Sequence, residues 1–171
     1  EGLPQNLLRL WTGNADLCAQ TDSGEVFCWG RTHLSAAPGT TLHEWRAKKL
    51  PELGQDVNHI VIGAEHACAR KRDGSVWCWG GNSAGQLGNG TLISTETPTQ
   101  VTGLQGLVQD VAAGRFFTCG VRLDGQVLCW GKSPYGALGK DVQTTFQNPF
   151  VRKDLGSENT FLFAANDELC A

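Results

Sequence analysis

The chain holds no methionine, a single tyrosine and no surplus of basic charge, 14 Lys and Arg standing against 17 Asp and Glu among its 171 residues. Without Met it has no initiating residue of its own, and Glu1-Gly2-Leu3-Pro4 lacks the charged-then-apolar order of a signal peptide. A processed or excised piece of a longer protein is therefore expected. The formal charge of -3 carries no basic footprint, which argues against nucleic acid or an acidic membrane surface as partner. No apolar run approaches the roughly 20 residues that cross a bilayer as a helix, so no membrane span is expected. Nucleophile elbow, phosphate loop and zinc-protease helix motifs are all missing.

What is abundant is glycine (22), cysteine (7) and tryptophan (6). Cysteines fall at 18 and 28, 68 and 78, and 119 and 129, with Cys170 last. Each pair spans ten positions, and first members advance by 50, 51 and 51. A fixed period of this length is the mark of a repeat architecture. Each unit opens on an apolar stretch ending in a small residue (Leu7 to Gly13, Val57 to Gly63, Val108 to Gly114), passes the first Cys, and closes on Cys-Trp-Gly at 28–30, 78–80 and 129–131. The units divide the chain into 1–50, 51–101, 102–152 and a fourth, begun but cut short, at 153–171.

Every unit reads as β structure: a buried strand from the apolar stretch, a second around the first Cys, and a third ending in Trp-Gly. A fourth, edge-like strand is expected at Gln100-Val101-Thr102 and Phe150-Val151-Arg152, each shortly after a Pro, with Lys49-Leu50 as counterpart. Four short strands per unit describe a propeller blade, so the expected fold class is an all-β propeller, three blades and the start of a fourth. Pairing the cysteines across the hairpin centres its turn on Ser23, Asp73 and Asp124. Gly24, Gly74 and Gly125 then take the left-handed third place of a three-residue loop. The Cys pair falls at a non-hydrogen-bonded position, with Cα atoms about 4.5 Å apart. That spacing suits a disulfide in Cys18–Cys28, Cys68–Cys78 and Cys119–Cys129, the alternatives being metal ligation, which favours shorter spacings, and buried free thiols. Cys170 is left unpaired. Alternation puts Phe27 and Trp29, Trp77 and Trp79, and Leu128 and Trp130 on the face opposite the cysteines.

These residues resemble the regulator of chromosome condensation repeat. The second unit carries the fullest match, with Gly63, His66, Ala69, Asp73-Gly74, Val76, Trp79-Gly80, Asn82 and Gly85-Gln86-Leu87-Gly88. The third has Phe117 in place of the His and Ser133 in place of the Asn. The first replaces the Gly-Gln-Leu-Gly segment by Arg31 to Pro38. The resemblance implies a β-propeller, usually of about seven blades, serving as a rigid platform for protein partners. Family members include a nucleotide exchange factor for a nuclear GTPase, an inhibitor of β-lactamases and many secreted bacterial proteins. Cysteine at both strand positions is outside the family consensus and is most similar to the secreted and extracellular forms.

The function expected is a non-enzymatic module of an extracellular, cell-surface or periplasmic protein, binding a protein or glycan, with no cofactor and no metal. The alternatives are an enzyme regulator, of exchange-factor or β-lactamase-inhibitor type, and a structural spacer or adhesin segment. Loops on a rigid scaffold carry function, and those after each Trp-Gly differ between units. Arg31, His33, Asn82, Ser83, Lys132 and Tyr135 are therefore candidate contacts. Trp45, within the basic and aromatic run His43 to Lys49, is another, although lysines there also protect a strand edge. His33, His43, His59 and His66 form no catalytic pattern, and His66 reads as structural. The open ends of such a stack need the remaining blades, from further sequence or another chain.

Overall fold

The computed structural model describes residues 4–13, 16–30, 44–104, 108–132, 138, 145–151, 162–165 and 168–170. Three antiparallel four-stranded sheets follow one another along the chain. The first holds β1 (Leu7–Thr12), β2 (Asp16–Thr21), β3 (Val26–Gly30) and β4 (Glu44–Lys49). The second holds β5 (Val57–Ile62), β6 (His66–Lys71), β7 (Val76–Gly80) and β8 (Thr95–Gln100). The third holds β9 (Val108–Ala113), β10 (Phe117–Arg122), β11 (Val127–Gly131) and β12 (Phe146–Val151). Strand order in each sheet is sequence order, and β13 (Phe163–Ala165) pairs with β14 (Glu168–Cys170) after them. This is the meander of a propeller blade, with the first strands β1, β5, β9 and β13 lying beside one another.

The hairpin loops follow from the glycines. Thr21 N donates to Glu25 O across the first, at 3.0 Å, leaving three residues between them. Gly24, Gly74 and Gly125 have φ of 85°, 77° and 78°, the left-handed region that only Gly enters without strain. Counting back from that closing bond puts each cysteine pair in register at a non-hydrogen-bonded site. Their Cα atoms are 4.1 Å apart and the sulfurs lie within bonding distance.

Faces alternate as the period of two requires. Cys18, Cys28, Val26 and Leu50 of the first unit pack against Leu53, Val57, Ile60, Ala67, Ala69 and Trp79 of the second. Cys68, Cys78, Val76, Leu87 and Val101 then pack against Val108, Val111 and Trp130 of the third. The cysteine face of one blade thus covers the tryptophan face of the next, and each Val, Leu or Ile buried between them contributes about 1.5–3 kcal/mol.

Two expectations are corrected. The first apolar stretch is not buried: Leu7 and Leu10 are 39% and 58% exposed, whereas their counterparts Val57 and Ile60 are at 1% and 2%. No described sheet lies on that side of β1 and β3 to cover them. The fourth strand also begins earlier than expected and contains its proline instead of following it. Pro98 falls in the register break between the pairs Cys78↔Thr99 and Gly80↔Thr95, and Pro149 in the same break of β12. A residue without N–H is tolerated at a bulge on an edge strand.

Candidate functional site

Antiparallel strands bring the end of β5, the start of β6, the end of β7 and the start of β8 to one end of the second blade. Gly81 N donates to Glu65 O at 2.7 Å there, and in the third blade Lys132 N donates to Phe116 O at 2.8 Å. Residues 63–65, 81–94, 114–116 and 132 therefore share one face, and the three-residue hairpin loops occupy the opposite one. Asn82, Ser83 and Lys132 all reach the first of these faces. Arg31, His33 and Tyr135 lie outside the described residues. Trp45 belongs to the backbone of β4, and its side chain lies outside the described residues too.

The 81–94 loop is organised from within. Asn82 is fully buried, and its Oδ1 accepts from Leu87 N at 3.0 Å. Its Nδ2 donates to the carbonyls of Thr91 and Ile93, at 3.0 and 3.1 Å, and to Asn89 Oδ1 at 3.3 Å. Asn89 Oδ1 also accepts from Thr91 N and Oγ1. The side chain of Asn82, expected at a contact surface, is spent on shaping its own loop and is not available to a partner. Ser83, beside it, is exposed.

A buried polar latch fastens this loop to the third blade. Thr118 Oγ1 donates to Gln86 O at 2.9 Å and accepts from His66 Nε2 at 2.8 Å, while Trp130 Nε1 also donates to Gln86 O at 2.9 Å. Because the one hydroxyl proton goes to Gln86, this network assigns the His66 proton to Nε2. Nδ1 has no partner among the described residues, and burial lowers the imidazole pKa to about 4. The ring is therefore neutral at pH 7, a structural group and not a proton shuttle. Gly88, at φ 62°, makes the close approach possible, since a Cβ there would sit 2.7 Å from the Trp130 ring. Sequence reasoning recognised His66 but missed Thr118. The available signal was a hydroxyl residue where the other units carry Leu17 and Ala67.

Several surface features were not anticipated. Leu92 and Ile93, at the outside of the 81–94 loop, are 46% and 73% exposed. Arg115 is exposed, its guanidinium 5.0 Å from the Phe116 ring centroid. On the inner strands a cleft of about 470 Å³ is lined by Trp11, His59, Val61, Asp110, Ala112 and Leu162 among others. Burial lowers the His59 pKa, Asp110 opposes that shift, and Arg70 and Arg9 add to it. Beside it, Arg9 Nη1 of β1 donates to Asn58 O of β5, and Leu162 N donates to Asp110 Oδ2 of β9. Among the described residues no group of three His, Cys, Asp or Glu could hold a metal ion.

Comparison with known proteins adds to this geometry. The family model described as the regulator of chromosome condensation (RCC1) repeat matches residues 73–121, and a second model of that repeat matches 57–86 and 108–137. The mitochondrial RCC1 domain-containing protein RUG3 of Arabidopsis thaliana is 30% identical over 137 residues, covering 75% of this chain and 31% of its own length. Human RCC1 domain-containing protein 1 is 40% identical over 89 residues, 52% of this chain and 23% of that protein. Among solved structures, Prp20p of Saccharomyces cerevisiae, described with its binding properties to Gsp1p and histones, superposes at TM-score 0.75 with 16% identity over 94% of this chain. Human WBSCR16 superposes at TM-score 0.70 with 21% identity over 85% of this chain. The chain spans 42% of the Prp20p chain and 37% of the WBSCR16 chain.

Proposed function

This chain belongs to the regulator of chromosome condensation repeat family through the repeats at residues 57–137, and we propose on that premise that it is a non-enzymatic protein-interaction module. Its oxidised hairpins make a rigid platform, and the loop face holding Ser83 and Lys132 meets a protein partner. One observation carries the reading: the 81–94 loop is fixed from inside by Asn82 and fastened below by the latch through Gln86, so its outer residues are presented without an ordering cost. Cysteine pairs inside hairpins suit a secreted or cell-surface setting, where disulfides persist.

A second reading is favoured by the likeness to Prp20p, whose described binding to Gsp1p makes a GTPase-regulating platform the alternative use of this fold. The two differ in compartment, because an intracellular regulator would keep its cysteines reduced. The experiment is photocrosslinking from Ser83 and Lys132, against Leu123 on the opposite, hairpin-loop face, in the source organism's extracellular and intracellular fractions. Crosslinking to a protein from Ser83 or Lys132 in the extracellular fraction, absent from Leu123, is the expected result. Crosslinks from Leu123 alone, or only to a small GTPase in the intracellular fraction, would overturn the first reading.

A further inference from the structure

We propose that Asn89-Gly90 is a self-modification site, at which the Gly90 amide attacks the Asn89 carboxamide with water as the only co-reactant, and that the junction between the second and third blades holds the site shut. This chemistry is independent of what the loop face binds.

Asn89 is the one asparagine of the chain followed by glycine, whose amide no side chain shields. In the reaction Gly90 N gives up its proton and bonds to Asn89 Cγ, the Cγ–Nδ2 bond breaks, and Nδ2 leaves as ammonia with a proton in return. Water then opens the resulting succinimide at either carbonyl, leaving an aspartate or an isoaspartate at position 89. Nothing is oxidised or reduced. The electrophile is prepared from within the second blade. Asn89 Oδ1 accepts from Thr91 Oγ1 at 2.8 Å, from Thr91 N at 3.1 Å and from Asn82 Nδ2 at 3.3 Å. Donors on that oxygen stabilise the negative charge it gains when Cγ becomes tetrahedral, as an oxyanion hole does.

The nucleophile, by contrast, is held by the third blade. Gly90 N donates to Gln147 O of β12 at 3.1 Å, a bond that must be given up before the nitrogen can lose its proton and attack. The glycines of the chain's two Asp-Gly pairs, Asp73-Gly74 and Asp124-Gly125, donate instead within their own hairpins, to Lys71 O and Arg122 O. Near Gly90 the junction is closed by Thr102 Oγ1, which donates to Asn148 Oδ1 at 2.9 Å, and further in by the latch between Thr118 and Gln86. Separation of the two blades therefore frees the nucleophile while the donors to Oδ1, all within the 81–94 loop, stay in place. The product lacks the amide that donates to Thr99 Oγ1 at 3.3 Å, and an isoaspartate lengthens the main chain of the loop by one carbon. Opening of the junction is thereby recorded as a permanent change in the loop that meets Gln147.

The test incubates the full oxidised chain in mildly alkaline buffer and follows Asn89 by peptide mapping with mass spectrometry, the guanidinium-unfolded chain serving as reference. Two variants loosen the junction at opposite ends, Asn148→Ala on the outside and Thr118→Val at the latch, so that one remains informative if the other does not fold. Conversion is expected to be at least about 10-fold slower in the folded wild type than in the unfolded chain, because opening sets the rate. A loosened but folded variant is expected to convert at least about 10-fold faster than wild type. Adding Thr91→Val to Asn148→Ala removes one donor to Oδ1 and is expected to slow conversion again. Equal rates in the folded and unfolded wild type, or loosened variants no faster than wild type, would overturn the lock. A Thr91→Val change that left the rate unaltered or raised it would mark ordinary loop flexibility in place of a prepared electrophile, and would overturn the site.

Discussion

Replacing Thr118 by Val keeps the shape of the side chain and removes only its hydroxyl, which makes it a clean probe of the inter-blade latch. That hydroxyl donates to Gln86 O and accepts from His66 Nε2 at the fully buried junction of the second and third blades. In the variant, Gln86 O keeps the Trp130 indole as donor, so its loss is partial. The His66 N–H is left buried with no acceptor, at a cost of about 1–3 kcal/mol, and the lost bond to Gln86 adds about 0.5–1 kcal/mol. Thr118→Val is therefore expected to destabilise by about 2–3 kcal/mol. Thr118→Ser keeps both bonds and deletes one buried methyl group, for about 1 kcal/mol. The order Val worse than Ser runs against hydrophobicity, so it separates the latch from general packing. Urea unfolding followed by tryptophan fluorescence, with constant slope, gives the difference. A Val variant within about 0.5 kcal/mol of wild type, or more stable than the Ser variant, would refute the reasoning about buried donors.

Other consequences follow from the same geometry. Burial lowers His66 from 6.5 to about 4, so the folded protein refuses a proton that the unfolded chain accepts. The stability this confers is complete above pH 6.5 and is lost as pH falls to about 4, by roughly 3 kcal/mol across the window. His66→Phe, the residue the third unit carries as Phe117, is expected to flatten that part of the pH–stability profile, which chemical denaturation at each pH checks. Gly88→Ala, at φ 62° and with its new methyl 2.7 Å from the Trp130 ring, is expected to cost more than about 2 kcal/mol in thermal unfolding measured by calorimetry. Asn82→Ala removes the centre of the 81–94 loop, and limited proteolysis is expected to cut between Ser83 and Ser94 at least about 10-fold faster than in wild type, because local opening controls cleavage.

Much of the scaffold was legible because the period repeats its own evidence. Cysteine spacing set the hairpin register, and glycine at the third loop position needed nothing beyond the left-handed turn. The burial of β1 was not legible, since Leu7 and Leu10 look like Val57 and Ile60 in sequence and differ only in what lies against them. The prolines marked the outer strand without saying that they sit inside it, because a bulge absorbs the missing donor. Asn82 was read as a contact because loops differ between units. Its role is instead to satisfy the backbone of a long loop, and that requires knowing which carbonyls turn inward. Leu92 and Ile93 passed unnoticed because two aliphatics in a row also describe a core segment. Trp79 shows the opposite limit: its Nε1 has no acceptor among the described residues, where Trp130 has Gln86 O, and the first unit's substitute for that segment lies at 31–38.

The central claim is a platform whose blades are stapled within their hairpins, and it is tested most directly by counting free thiols. The protein from its native compartment is denatured without reductant, alkylated, and weighed intact. With Cys18–Cys28, Cys68–Cys78 and Cys119–Cys129 each placed in bonding geometry, these six cysteines are expected to be protected from the alkylating group. Alkylation of all six, with air oxidation and reduction during handling controlled for, would contradict the stapled, oxidising-compartment account and shift the reading to the intracellular regulator.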